Sequence, residues 1–257
     1  MCEIFGSMST GKQDIKPYLK EFFIHSDKHP HGWGLACLDG SDTLIEKEPL
    51  KATNSYYLKH RLTGELTGRV ILAHIRYATI GNVEYTNCHP FTRKDNQGRH
   101  WTFIHNGTIF NYPPLNPYVK TQTGDTDSER ILMYLVDKIN RQERKKGAPL
   151  DSKERFDFLE GIIREMAKEN KLNFLLYDGE LLYVHTNFAD SLYFLEKENQ
   201  ILFSTRPLGR EEWMPVPFTT LLAYQNGKQV FTGTNHHNEH FDNEENLKYL
   251  FQIFSNL

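Results

Sequence analysis

The stretch Met1–Ser9, "MCEIFGSMS", decides the fold, because it places a cysteine directly behind the first methionine and at the head of a short apolar run. The run "CEIF" predicts a β-strand that starts at this cysteine. If Met1 is removed, Cys2 carries a free α-amine next to its thiol, so one residue supplies a nucleophile and a base. The remaining sequence contains candidates for the other parts of a reaction.

The composition predicts an ordinary globular protein with one domain over residues 1–257. Apolar residues make up 39% and charged residues 25%, and the net charge of -3 argues against nucleic acid or an anionic membrane as partner. The sequence contains no run of about 20 apolar residues, and we expect no signal peptide. The only cysteines are Cys2, Cys37 and Cys88, which is typical of a reducing, cytoplasmic compartment rather than of a disulfide framework. We interpret Cys37 and Cys88 as structural.

Short β-type runs separated by turn residues alternate with fewer helical patterns. The strongest helical stripes follow Asp127 to Arg144 and Phe156 to Met166. Weaker helices are predicted at Ile15–Phe23, Ser55–Leu66 and Asn243–Phe254. The pattern indicates an α+β fold in which antiparallel sheets pack against helices.

Two stretches follow or join apolar strands and carry polar residues. In "HIRYAT" (74–79), Arg76 offers a planar fork for a carboxylate, although a structural ion pair is the better interpretation of this stretch alone. In "FIHNGTIF" (103–110), Asn106 and Gly107 can form an oxyanion hole, but Asn-Gly is also the strongest two-residue hairpin signal. Taken alone, this stretch favours a hairpin.

Three further stretches are turn-like. "GDTDSE" (124–129) predicts a capping box between Thr126 and Glu129, which leaves Asp127 in the first helical turn for a ligand ammonium or for the helix dipole. "HPHGWGLA" (29–36) and "NCHPF" (87–91) can shape a pocket, and the glycines beside Trp33 suggest close backbone approach.

The stretch "NHHNEH" (235–240) is the competing site. His236 and His240 would share one face if this stretch were helical, and could then bind a metal. Because Gly233 and several asparagines surround them, we interpret the stretch as a solvated histidine-rich loop.

Taken together and in order, Cys2, "HGWG", "HIRYAT", "HPF", "HNG" and "DTDSE" resemble the class II glutamine amidotransferases, a family of N-terminal-nucleophile (Ntn) hydrolases. The residues of the motifs "HGWG" and "HIRYAT" look most like those of the stand-alone YafJ-like branch of this family. The resemblance spans roughly the first half of the chain, from Cys2 to Glu129.

The resemblance implies a four-layer αββα sandwich of two antiparallel sheets. It implies Cys2 as the nucleophile after Met1 removal, Asn106 and Gly107 as the oxyanion hole, and Arg76 and Asp127 as the residues that hold the substrate α-carboxylate and α-amine. Its motifs also make Thr79 and Trp33 candidate substrate-binding residues. No metal and no organic cofactor are implied.

The function implied is a cysteine amidohydrolase that cleaves the side-chain amide of glutamine or of a related γ-glutamyl compound and releases glutamate. Because the chain ends at Leu257, we expect no synthase domain in it. One alternative is a glutaminase subunit that supplies ammonia to an acceptor partner protein. Another is a non-catalytic metal-binding module built on the histidine loop. The loop "FNYPPLNPY" (110–118) is a candidate lid, with an ordinary packed loop as the equal alternative.

Overall fold

We describe the fold from a computed structural model, which covers residues 2–39, 42–64, 66–246 and 248. Thirteen strands in this part of the chain form two antiparallel sheets. The first sheet has the order β11-β9-β10-β1-β4-β2-β3 and the second has the order β13-β12-β8-β7-β6-β5. The strands of the first sheet are β1 (Glu3–Asp14), β2 (Trp33–Asp39), β3 (Asp42–Glu48), β4 (Thr67–Ile75), β9 (Tyr193–Lys197), β10 (Gln200–Ser204) and β11 (Met214–Pro215). Those of the second are β5 (Phe91–Lys94), β6 (His100–His105), β7 (Phe174–Tyr177), β8 (Leu182–His185), β12 (Leu222–Gln225) and β13 (Lys228–Thr232).

In the described ranges, four α-helices cover the outer faces of the two sheets. They are α1 (Lys16–Ile24), α2 (Tyr56–Arg61), α3 (Asp127–Lys146) and α4 (Ser152–Met166). Short 3-10 segments occur at His25–Lys28, Ala52–Asn54, Tyr85–Asn87 and Pro113–Lys120.

Three hydrophobic clusters separate these elements into four layers. One cluster packs α1 and α2 on the first sheet, one packs α3 and α4 on the second sheet, and the third lies between the sheets. Strand β1 shows how the sequence produces this: Ile4 belongs to the cluster between the sheets and Phe5 to the cluster under α1. Successive residues of a strand face opposite sides, so one apolar run supplies both layers. The expected αββα sandwich is therefore confirmed.

Antiparallel pairing brings several strand ends to one edge of the sandwich. Glu3 at the start of β1 pairs with Ile75 at the end of β4, and Phe5 pairs with Ser204 at the end of β10. In the second sheet, His105 at the end of β6 pairs with Phe174 at the start of β7. The residues that precede or follow these ends, including Cys2, Arg76 and Asn106, therefore lie at the same edge.

Some sequence-based element predictions need correction. The segment predicted as the helix Ser55–Leu66 forms only the six-residue α2, which ends at Arg61. Strand β1 continues through the polar residues up to Asp14, because Gln13 and Asp14 still pair with β4 after the pairing with β10 has ended at Ser9. Most of the predicted helix Asn243–Phe254 lies outside the described residues.

Candidate active site

The thiol of Cys2 is held against the chain that leaves β4. The main-chain N–H of Tyr77 donates to the Cys2 Sγ at 3.3 Å, and the Sγ lies 3.4 Å from the Tyr77 carbonyl oxygen. Burial raises the pKa of the Cys2 thiol, while the Tyr77 N–H and the positive charge of Arg76 act to lower this pKa, and the negative charge of Asp127 adds to the rise. The two predicted head-group residues thus lie close enough to influence the predicted nucleophile.

Arg76 directly follows β4 and is buried. Its Nη1 donates to the carbonyl of Asn82 at 2.8 Å, and its Nη2 donates to the carbonyls of Ile80 and Gly81 at 2.9 and 2.8 Å. These bonds fold the loop 77–82 around the guanidinium. Within the described residues, the hydrogen-bond partners of Arg76 are carbonyl oxygens, so the ion pair that the isolated stretch favoured is not formed there.

The loop around Arg76 is tied to the start of α3 by Asn87, a fully buried residue. Its side-chain amide donates to the carbonyl of Asn82 at 3.0 Å and to the carboxylate of Asp125 at 3.3 Å, and accepts from the main-chain N–H of Asp125 at 2.7 Å. The turn "NCHPF" thus shapes the site through Asn87, which the sequence analysis did not single out. The only sequence signal was the His/Pro-rich character of that turn.

The sequence Asn106-Gly107 does not form a hairpin turn. The chain continues past β6 beside residues 171–173, where the Asn106 N–H donates to the Asn173 carbonyl at 2.8 Å and the Thr108 N–H donates to the Lys171 carbonyl at 3.0 Å. Within the described part of the chain, the amide oxygen of Asn106 has no hydrogen-bond partner. The hairpin interpretation is wrong, and Asn106 instead lines a cavity beside Cys2.

Gly107 lies where no side chain fits. A Cβ at this position would come within 2.1 Å of the Lys171 carbonyl oxygen and 2.3 Å of the His105 Nε2. The glycine is therefore required by the close approach of two main-chain segments. Its absence of a side chain leaves the main chain accessible, as an oxyanion site needs.

Asp127 is the first residue of α3 and is buried. Its carboxylate accepts from the main-chain N–H groups of Ile109 at 2.8 Å and of Ser128 at 2.9 Å, which ties the segment after Gly107 to the helix. The predicted capping box is only half formed. Thr126 accepts from the Glu129 N–H at 3.2 Å, but the Glu129 carboxylate accepts from the N–H groups of Thr123 and Gly124 at 2.7 and 2.8 Å.

A cavity of about 390 Å³ opens beside the nucleophile. Its lining includes Cys2 and Asn106 together with Glu3, His29, Lys171, Phe188, Asp190, Ser191, Tyr193, Thr205, Arg206 and Pro207. The buried Lys171 is the member that the sequence analysis missed. It precedes the apolar strand β7, where a single charged residue gives no distinguishing signal.

The two further substrate-binding candidates lie in different places. Thr79 is half-buried in the loop that Arg76 organises, whereas Trp33 is fully buried under α1, where its indole lies against Phe23 and its Nε1 donates to the Glu48 carboxylate at 3.0 Å. Trp33 does not reach the cavity. The close backbone approach suggested by its neighbouring glycines does occur, because a Cβ on Gly34 would lie 1.8 Å from the His89 carbonyl oxygen.

The histidine-rich stretch is a loop, as predicted, and it is partly solvated: His237 and Glu239 are exposed, whereas His240 is buried. His236 and His240 lie in this irregular segment, in which His237 has a φ of 57°, and they face different neighbours. The His236 Nε2 lies 2.9 Å from the Nε2 of the fully buried His185, while the buried His240 stacks on the Phe110 ring at 5.6 Å. They do not form the shared face that the metal-binding alternative requires. In the ranges that the structure describes, no group of three or more His, Cys, Asp or Glu side chains is arranged to hold a metal ion.

The aromatic loop 110–118 is a packed loop rather than a lid. The Tyr118 hydroxyl donates to the Asp137 carboxylate at 2.9 Å, and the Tyr112 and Tyr134 hydroxyls lie 3.1 Å apart. Asn170 accepts the N–H groups of Phe110 and Asn111 at 2.7 and 2.9 Å. The loop is thus fixed on α3 and does not line the cavity beside Cys2.

The other two thiols are less available than a surface cysteine. Burial raises the pKa of both Cys37 and Cys88 to about 11, which keeps them in the unreactive thiol form. Neither is in a disulfide. In the described ranges, no helix is both long and apolar enough to span a bilayer.

The family model and a named relative of this chain indicate the same protein family. The model of the family "Glutamine amidotransferases class-II" matches residues 1–199. The chain is 27% identical over 259 residues to an uncharacterised protein of Methanocaldococcus jannaschii, with 90% of this chain and 71% of that protein covered. It is 30% identical over 192 residues to YafJ of Escherichia coli, named as a glutamine amidotransferase, with 73% of this chain and 74% of YafJ covered.

A solved structure supports the fold independently. A protein of Pseudomonas aeruginosa, described as a predicted glutamine amidotransferase, superimposes with a TM-score of 0.62 at 20% identity. The superposition covers 90% of this chain and all of that one. At this identity the likeness concerns the architecture of two sheets and flanking helices.

Proposed function

This chain belongs to the class II glutamine amidotransferases, and we propose on that premise that it is an amidohydrolase of glutamine or of a related γ-glutamyl compound. The observation that carries the proposal is the meeting of Cys2, Asn106 and a cavity at one edge of the sandwich. A nucleophile and an amide donor that line the same cavity can act on one carbonyl group.

In the proposed reaction, the thiol of Cys2 attacks the γ-carbonyl carbon after Met1 has been removed. The α-amine of Cys2 takes the thiol proton and returns it to the leaving nitrogen, so that ammonia or an amine departs and a γ-glutamyl thioester remains. Water then cleaves the thioester, which releases glutamate and restores the thiol. Asn106 and the main-chain N–H of Gly107 stabilise the negative oxygen of each tetrahedral intermediate.

We assign the amino-acid head group to Arg76 and Asp127, which lie near the Cys2 thiol but outside the lining of the cavity. Arg76 has five N–H donors in total and uses three on the loop carbonyls, so its guanidinium retains donors for a carboxylate. Asp127 has a carboxylate, bound to two N–H groups, that retains acceptor capacity for an ammonium group. Thr79 completes this proposed head-group site, and we no longer include Trp33 in it, because it lies in the core.

We further propose that residues 1–257 act as one type-2 glutamine amidotransferase domain that functions without a metal or an organic cofactor in the cytoplasm. Hydrolysis by the chain alone is favoured by the size of the cavity beside Cys2, which admits more than ammonia. The alternative, delivery of ammonia to an acceptor partner, needs the same nucleophile but a second protein.

The test begins with mass spectrometry of the protein from cells, which should show Cys2 as the first residue. Released glutamate is then measured with glutamine and with γ-glutamyl amides. An electrophilic glutamine analogue should label Cys2, and Cys2→Ser should lose most activity, while Cys37→Ser serves as the matched control. Labelling at Cys37 or Cys88 would refute the assignment, and activity that appears only with an added partner would favour the ammonia-supplying alternative.

A further inference from the structure

The cavity beside Cys2 is not the site proposed for the amino-acid head group. Arg76 and Asp127 do not belong to its lining, although both lie near the thiol. A γ-glutamyl amide has two arms that extend from its reacting carbonyl carbon: the glutamyl chain and the leaving nitrogen. If the glutamyl chain binds to Arg76 and Asp127, the leaving nitrogen and its substituent point into this cavity.

The volume of the cavity exceeds what ammonia requires. It measures about 390 Å³, whereas a water-sized molecule occupies only about 30 Å³. The size falls in the range of sites that hold small organic ligands. A substituted amine therefore fits the cavity as leaving group.

The charges of the lining indicate the chemistry of that amine. The buried Glu3 carboxylate pairs with the exposed Arg206 at 2.9 Å and lies 2.8 Å from His25, so the charge of Arg206 already has a partner. Asp190 is exposed at the rim. Lys171 is buried, and it lines the cavity together with Cys2 and Asn106, the proposed reacting groups.

Lys171 is also held in position. Its main chain makes two hydrogen bonds with Thr108, at 3.0 and 3.1 Å, directly after the proposed oxyanion residues. Its Nζ lies 3.5 Å from the centre of the Phe188 ring, a cation–π contact. Burial lowers the pKa of the Lys171 ammonium to about 8, and the charges of Asp242 and Cys2 oppose this shift, so the group remains mostly cationic at neutral pH.

We propose that this cavity binds the leaving group and that Lys171 selects leaving amines with a carboxylate beside the departing nitrogen. The substrate class is then γ-glutamyl amino acids, in which the residue attached to the γ-carbonyl has a free α-carboxylate. Cleavage follows the proposed reaction: the γ-carbon–nitrogen bond breaks as the thioester forms, the leaving nitrogen takes the proton held by the Cys2 α-amine, and water supplies the oxygen of glutamate. The inference rests on the proposed function and adds the substrate class.

The experiment compares two substrates that differ only in the charge of the leaving group. Processed protein is assayed with γ-glutamylglycine and with γ-glutamylglycinamide, and glutamine is assayed in parallel. A charge-assisted hydrogen bond contributes enough that kcat/KM should favour the carboxylate by about 10- to 100-fold. Lys171→Met should reduce this ratio to about one whatever its effect on absolute rates, whereas Lys171→Arg should retain most of it.

Lys168→Met provides the matched control, because Lys168 is an exposed lysine near Lys171 that pairs with Glu165. It should keep the ratio of the unaltered protein. A ratio near one in the unaltered protein, with glutamine still hydrolysed, would overturn the inference and leave the proposed function intact. A ratio unchanged in Lys171→Met would also overturn the assignment to Lys171. If neither glutamine nor any γ-glutamyl amide is cleaved, both proposals fail.

Discussion

Replacing Gly107 by alanine tests whether the main chain at this position forms part of the reaction centre. The new Cβ would lie 2.1 Å from the Lys171 carbonyl oxygen, and real Cβ contacts essentially never fall below 3.0 Å. One of the two segments must therefore move by about 1 Å. The His105 Nε2, at 2.3 Å, blocks the same methyl group.

The magnitude follows from what this shift disturbs. Two hydrogen bonds join Thr108 and Lys171, at 3.0 and 3.1 Å, and each contributes about 1 kcal/mol. Overpacking adds about 1–3 kcal/mol, so Gly107→Ala should lower the free energy of unfolding by about 3–5 kcal/mol. A misplacement of about 1 Å in the reaction centre costs about 100-fold in rate, so kcat should fall by at least that factor.

The assay measures kcat and KM for glutamate release, with urea unfolding as the measure of stability. Gly161→Ala is the matched control, since Gly161 lies inside α4 and a Cβ there meets nothing within 4 Å. This control should keep its kcat and gain about 0.5–1 kcal/mol of stability. A Gly107→Ala protein that is destabilised but has normal kcat would refute the placement of the oxyanion site.

Further predictions concern the neighbouring groups. Asn106→Ala keeps the main chain in place and should reduce kcat by about 10²–10³-fold with little change in KM, and a normal kcat would exclude Asn106 as an oxyanion donor. Arg76→Lys should raise KM because lysine lacks the planar fork, while Asp127→Asn should weaken substrates with a free α-amine more than their N-acylated analogues. For stability, burial lowers the pKa of His185 to about 3, below its unfolded value of about 6.5, so the unfolded state binds the proton first as pH falls. The contribution of His185 to the free energy of unfolding is complete above about pH 6.5, and about 3 kcal/mol of it should be lost by pH 4.5. Urea unfolding should show a smaller loss over this pH range for His185→Gln than for the unaltered protein.

The sequence predicted the architecture well where one local pattern suffices. The apolar stripe from Asp127 forms α3, which ends at Lys146, close to the predicted Arg144. The extent of β1 beyond Ser9 was not predictable, because its polar second half is held by pairing with β4 across a register shift between Met8 and Gln13. Local propensity describes one strand, whereas a sheet stabilises a strand through its neighbours.

The candidate site was predictable only as a set. Taken one by one, "HIRYAT" favoured an ion pair and "FIHNGTIF" favoured a hairpin, and both interpretations are wrong. An Asn-Gly pair usually forms a hairpin turn, so it predicts pairing with the strand that follows next in the sequence. Here the partner of residues 106–108 is the distant segment 171–173, and no local rule contains that information.

The same reasoning explains why Lys171 was missed and why it matters. A lysine at the start of an apolar strand is ordinary in sequence, but the bridge between Thr108 and Lys171 fixes its backbone beside the segment that follows Gly107. The contact that excludes a side chain at Gly107 is therefore the contact that places the lysine in the wall of the Cys2 cavity. A change at Gly107 should consequently disturb two functions at once, the stabilisation of the oxyanion and the selection of the leaving group. In Gly107→Ala the preference for γ-glutamylglycine over its amide should fall together with kcat, whereas Asn106→Ala should lower kcat and keep the preference.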